Sequence, residues 1–356
     1  MGKISQKKLS KYQKLSSEDI FDVSDKAVRS FLYRSAEEGY NIVAEGFLKH
    51  QGFFQAPHKK ELDDVDIAIV GVPMDQGAPH WSGTRHGPAA ARKWSHIHGP
   101  VHQMTNCIPY ELCRIIDYGD VEFTSYSAKE RIGDIYETYT KLKNADVATL
   151  SVGGEHTMSH SILKALGRDE PVGLIHLDAH ADTGGTPHGG DDHNDNSVFR
   201  KAVLDGVVDP ERTIQIGIRG RASIIWDFSY DTGMKVITAD EVHERGAKSI
   251  VEEARKILGK GPVYISLDTD ALDPAYMPGT TLPEPFGLTS LQVRDIIRGI
   301  RGMDVVGADI AELCPPHDSN EISANLVAGL LFEMLCILSE ARTARTGKKH
   351  KTHWIK

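Results

Sequence analysis

The stretch Val172-Gly173-Leu174-Ile175-His176-Leu177-Asp178-Ala179-His180-Ala181-Asp182 decides how the chain is read. Its first six residues form an apolar run without alternation, the pattern of a parallel strand covered on both faces. The run ends in Asp-x-His-x-Asp. Residues of one parity on an extended chain share a face, so Asp178, His180 and Asp182 can converge just past the strand's carboxyl end. Carboxylates and an imidazole meeting there suit a divalent cation, because such oxygen and nitrogen donors bind manganese, nickel, zinc or iron. Taken alone, the motif also fits a strand-end turn with solvated acids and a helix-capping Asp.

Two other stretches decide between these readings. Val263-Tyr264-Ile265-Ser266-Leu267-Asp268-Thr269-Asp270-Ala271-Leu272-Asp273-Pro274 is again an apolar strand ending in acids of one parity, followed by a turn. A third strand, over residues 148–152, runs into Gly153-Gly154-Glu155-His156 and delivers a His through a glycine turn. His156, Asp178, His180, Asp182, Asp268 and Asp270 together suit two metal ions bridged by shared carboxylates, with a position left for water. Burying four like-charged acids without cations would be prohibitively costly.

Around these motifs the chain alternates strand and helix. Strands are expected over 67–72, 114–118, 148–152, 172–177, 213–218, 235–238, 263–267 and 305–310. Helices are expected over 128–142, 156–166, 247–258, 291–300 and 321–339. This is an α/β chain with a mainly parallel, eight-stranded sheet and helices on both faces, and ligands belong at the carboxyl ends of the strands. Residues 1–60 read as an N-terminal extension lying on the core or on a neighbouring subunit. It comprises a polar, loose arm over 5–15 and a helix over 26–38 capped by Ser24. Residues 61–342 form the catalytic domain, and 343–356 a basic tail.

The totals narrow the function classes. A net charge of -9 opposes nucleic-acid binding and favours neutral or cationic small ligands. No stretch approaches the length of a membrane span, and the basic N-terminus lacks an apolar signal region. Cys107, Cys113, Cys314 and Cys336 show no Cys-x-x-Cys spacing and read as reduced thiols of a cytoplasmic enzyme.

Other residues lie near the expected site. Asp309-Ile310-Ala311-Glu312 ends a strand, and Glu312 either pairs with a planar N–H fork of a cationic substrate, or caps a loop or pairs with an Arg. The polar loop from Thr183 to Ser197 carries His188 and His193, candidate proton carriers because imidazole titrates near neutrality.

Taken together, the Gly-Gly-Glu-His, Asp-Ala-His-Ala-Asp and Ser-Leu-Asp-Thr-Asp-Ala-Leu-Asp-Pro stretches resemble the ureohydrolase family of arginase and agmatinase. Gly71-Val72-Pro73, 82–88 (SGTRHGP), 215–219 (QIGIR) and 283–289 (PEPFGLT) support the resemblance. It implies a three-layer α/β/α sandwich, usually assembled as trimers or hexamers, here of one chain or of related chains. It also implies two divalent ions, Mn2+ or Ni2+. One ion takes His156, Asp178, Asp182 and Asp268, and the other Asp178, His180, Asp268 and Asp270. A hydroxide bridging them attacks a guanidino carbon, releasing urea or a substituted urea with an amine or ammonia. Glu312 holds the guanidinium, and Asp182 moves the proton.

Three positions depart from the family pattern. Asp195 stands where a His is usual, with His193 two residues earlier as the substitute proton shuttle. His317 stands where a Tyr is usual, and Phe286 replaces a Gly. Asp195 and His317 are therefore candidate substrate contacts. These departures point to branches acting on small guanidines, guanidino acids or biguanides. The acidic loop from Asp191 to Asp195, with no Lys or Arg between Thr183 and Phe199, favours a small cation such as agmatine, guanidine or a biguanide like metformin. The alternatives are a guanidino-acid hydrolase or arginase. From other classes, rivals are a zinc deacylase, which would not need His156 or Asp270, and a subunit that accompanies an inactive paralogue.

Overall fold

The computed structural model describes residues 4–15, 19–37, 52–77, 81–185, 194–220 and 225–347. Eight strands are formed: β1 (Ile67–Val72), β2 (Ile115–Asp120), β3 (Ala148–Gly153), β4 (Val172–Leu177), β5 (Val208–Ile218), β6 (Lys235–Thr238), β7 (Val263–Asp268) and β8 (Val305–Ala311). They make one sheet in the order β2-β1-β3-β8-β7-β4-β5-β6, and every pairing is parallel.

The two-residue period of each strand divides the apolar core in two. Ile67, Ile69, Ile175, Leu177, Ile265 and Leu267 face one cluster, roofed by helices Gly87–Ser95, Ala239–Leu258, Ser290–Gly299 and Ile322–Thr346. Ala68, Val70, Val72, Leu174 and Tyr264 face the other, under helices Ala128–Asn144, Met158–Leu166 and Val198–Leu204. The result is a three-layer α/β/α sandwich. Both faces are covered, which is why the strands read as unbroken apolar runs; each buried Val, Leu or Ile contributes roughly 1.5–3 kcal/mol.

Local chemistry moves some expected boundaries. The helix expected from residue 247 starts at Ala239, because Thr238 and Glu241 form a reciprocal cap; Gly246 then interrupts it at φ 74°. Residues Gln6–Leu15, expected as a loose arm, are helical but bury nothing. The helix Lys26–Glu37 is capped by Asp25 rather than Ser24: Asp25 Oδ1 accepts from the backbone N–H of Ala27 (2.9 Å) and Val28 (3.1 Å). It sinks Val28, Phe31 and Leu32 into the first apolar cluster. Phe53 and Phe54 are buried as well.

Ile322–Thr346 corrects the expectation that no stretch reaches membrane-span length. This helix has 25 residues, and its most apolar window has a mean hydropathy of 1.9. Its partners in this fold are β8, β3 and neighbouring helices, so 78% of that window is buried inside the protein. The helix also runs past residue 343, where the tail was expected to begin. All four cysteines are buried free thiols.

Candidate metal centre and active site

Four adjacent strands, β3, β8, β7 and β4, bring their carboxyl ends together at the middle of the sheet. His156 follows β3, Glu312 follows β8, Asp268 closes β7 with Asp270 just beyond, and Asp178, His180 and Asp182 follow β4. All seven side chains are buried.

The six residues expected as metal ligands converge in two groups. His156 Nδ1 lies 3.4 Å from Asp178 Oδ2, 3.1 Å from Asp182 Oδ2 and 3.3 Å from Asp268 Oδ2. His180 Nδ1 lies 3.5 Å from Asp178 Oδ1 and 3.0 Å from Asp270 Oδ2. Asp178 thus turns one oxygen to each group, the arrangement a bridging carboxylate requires. His156 Nδ1 is fully buried and makes no directed hydrogen bond despite three carboxylate oxygens around it. A cation between them would satisfy all four atoms, so the donor set fits divalent ions.

Electrostatics agree. Burial, and then the nearby Asp178, push Asp182 up to about 7, while burial together with Asp270 and Asp178 raises Asp268 well above the usual carboxylate range. Without cations the site cannot hold all its carboxylates ionised.

The ligands are held from behind. His156 Nε2–H donates to Ser266 Oγ (2.9 Å), whose hydroxyl donates to Asp309 Oδ1 (2.6 Å). Glu284 Oε1 lies 3.2 Å from His180 Nε2. Carboxylate or hydroxyl partners of this kind fix the tautomer and orientation of ligand histidines. The amide N–H of Asp270 donates to Asp268 Oδ1 (2.8 Å), and that of Ala179 to Asp270 Oδ1 (3.0 Å).

A cavity beside the ligands is lined by His180, Asp182, Asp195, Asn196, Asp268, Asp270, Thr281, Leu282 and Glu312. Glu312 Oε1 accepts from the His156 amide (2.6 Å) and Oε2 from Thr281 Oγ1 (2.6 Å). Burial, then Asp195, raises its pKa well above the usual range. Asp195 is raised by burial too; its Oδ1 accepts from the Asn196 amide (2.8 Å). The backbone bonds Gly184 N to Asn196 O (2.8 Å) and Phe199 N to Asp182 O (3.0 Å) tie Asp195 to the ligand loop. His188 and His193 lie outside the described residues. His317 is exposed, stacked on Trp81 with ring centres 4.1 Å apart, and does not line this cavity. Phe286 adopts φ 64°, a backbone region that favours the Gly usual there.

Sequence reasoning assigned no role to His176, Gln215, Ser266, Thr281, Glu284 or Asp309. His176 and Ser266 carried a signal, each lying two residues before a ligand and so on the ligand's face of its strand. The other four come from elements whose neighbours only the folded sheet reveals.

The arginase family model matches residues 65–336. The chain is 39% identical over 291 residues to guanidinopropionase of Pseudomonas aeruginosa, covering 81% of this chain and 92% of that protein. It is 38% identical over 290 residues to the mitochondrial agmatinase of Gallus gallus, covering 81% and 85%. Among solved structures, the proclavaminate amidino hydrolase of Streptomyces clavuligerus superposes with a TM-score of 0.80 at 30% identity, covering 84% of this chain and all of that one. With the fold and the paired donor groups, these likenesses make the chain a member of the arginase family, a metal-dependent amidinohydrolase.

Proposed function

We propose that the chain hydrolyses the guanidino C–N bond of a small cation that carries no carboxylate, such as agmatine, guanidine or a biguanide. One observation carries this reading: among the described residues the cavity is lined by Asp182, Asp195, Asp268, Asp270 and Glu312 and by no Lys or Arg. With Asp178, six carboxylates outweigh two divalent ions, leaving a field that attracts a cation and repels a carboxylate.

Two divalent ions, held by His156, Asp178, His180, Asp182, Asp268 and Asp270, would supply Lewis acidity and water activated at neutral pH. Manganese and nickel suit these nitrogen and oxygen donors. Glu312 presents a carboxylate to the guanidinium N–H groups and aims the carbon into the cavity, with Thr281 and the His156 amide fixing its own orientation. Asp195 faces the same space as a second acceptor. An oxygen of Asp182 takes the proton of the attacking water and returns it to the leaving nitrogen. The balance is one guanidinium and one water giving one urea, or a substituted urea from a biguanide, and one protonated amine, or ammonium when guanidine itself is cleaved.

A second reading, a guanidino acid as substrate, draws support from the guanidinopropionase likeness. Arg85, however, does not line the cavity, and its guanidinium is engaged by buried Asp75 (Nε to Oδ1, 2.7 Å). The test is urea and amine release from agmatine, guanidine, dimethylbiguanide, arginine and guanidinobutyrate at matched concentration, after loading with manganese or nickel. The proposal expects a carboxylate-free compound to have the highest kcat/KM. Preference for arginine or guanidinobutyrate contradicts it.

A further inference from the structure

His176 is fully buried on β4, two residues before Asp178 and on the same face of the strand. Its Nε2 lies 2.7 Å from Asp178 Oδ2, and its Nδ1 lies 3.0 Å from Gln215 Nε2 on β5. The identity of the Gln215 atom is set by a third group. The same Nε2 lies 2.6 Å from the carbonyl oxygen of Ala181, which can only accept. Gln215 therefore spends one amide hydrogen on Ala181 and the other on His176 Nδ1. His176 Nδ1 is the acceptor, and the ring proton sits on Nε2, aimed at Asp178.

We propose that Gln215 and His176 are positioning residues for the metal centre: Gln215 sets the tautomer of His176, whose Nε2–H then holds Asp178 with one oxygen toward each group of ligands. The inference rests on the reading that Asp178 bridges two ions. The other oxygen, Oδ1, accepts from the His180 amide at 2.5 Å. Each oxygen of Asp178 thus receives one N–H and keeps lone-pair capacity on the side facing its own ligand group. A carboxylate pinned at both ends cannot rotate to chelate a single ion through both oxygens. Phe199 closes the back of the His176 ring at a centroid distance of 4.2 Å and holds it in place. The residue after the strand-end loop therefore braces the same hydrogen-bond chain.

Histidine can lie beside a ligand and serve only as buried filler, so the test separates shape from hydrogen-bond direction. In nitrogen-15 NMR of the metal-free chain with labelled histidine, His176 should be the neutral Nε2–H tautomer. Gln215→Glu keeps the shape but replaces two donors with acceptors. Mn2+ binding is then followed by the electron paramagnetic resonance signal of the free aqueous ion. The variant should bind Mn2+ about 10–100-fold more weakly, the usual effect of losing a partner behind a ligand. Its kcat should recover at saturating Mn2+, with KM for the guanidino substrate unchanged. Gln215→Met, which also lacks both donors but adds no charge, should show the same weakening. If Gln215→Glu does not fold, the tautomer of the unaltered chain and the Gln215→Met affinity still decide. An Nδ1–H or doubly protonated His176, or native Mn2+ affinity in a folded variant, overturns the proposal. Neither readout depends on which guanidino compound is cleaved, so a failed substrate panel and a failed tautomer assignment remain distinct.

Discussion

Glu312 and Asp182 both sit at positive φ, 67° and 50°, although neither is glycine. Such a backbone costs on the order of 1–3 kcal/mol and persists only where the surroundings enforce it. Here the Glu312 amide is bonded to Gly154 O (2.8 Å) and the Asp182 carbonyl receives Phe199 N–H (3.0 Å). The strain turns both carboxylates into the cavity instead of along the strand. Glu312→Gln keeps the shape but removes the charge opposite the guanidinium. It should lower kcat/KM about 10–100-fold, the worth of a charge-assisted hydrogen bond, while metal content is unchanged. Steady-state kinetics with metal analysis checks this; native kcat/KM would remove Glu312 from substrate binding. The acids at strand ends were legible from parity and spacing alone. Glu284 and Asp309 were not, because a carboxylate that supports a ligand from another strand leaves no local pattern.

At the scale of elements, the strands were legible because burial on both faces leaves continuous apolar runs. Their spatial order was not. β3, β8, β7 and β4 are neighbours, yet β3 and β8 lie far apart in the chain, and only the sheet order shows why four motifs meet. The helix Lys26–Glu37 shows the same limit, since its partly apolar face did not say what it covers. Phe31 is fully buried against the first apolar cluster, so this helix is joined to the catalytic domain. Phe31→Ala should destabilise the chain by about 3–5 kcal/mol, read from denaturant unfolding. A change below about 1 kcal/mol would mean that the helix contributes little to the core.

Across the whole molecule, buried carboxylates in the site and beside it in the chain make the metal-free chain sensitive to pH. Asp182 rises from 3.8 to about 7 and Glu155 from 4.5 to about 7, burial being the first cause of each. Below the ordinary carboxylate range both folded and unfolded chains carry these protons. Between that range and about 7 the folded chain keeps protons that the unfolded chain has released, so stability falls as pH rises. Above about 7 the full penalty remains unless cations offset it. The drop in thermal midpoint on adding a chelator should therefore be larger at about pH 8 than at about pH 5. A drop independent of pH would contradict this coupling.

The chemistry of the site depends on one claim, that the six converging ligands hold two ions rather than one. Elemental analysis of the manganese- or nickel-loaded chain, taken as activity reaches its plateau, tests it most directly. The account predicts two ions per chain at full activity, and loss of at least one together with activity in Asp268→Ala. Full activity with a single ion per chain would contradict it.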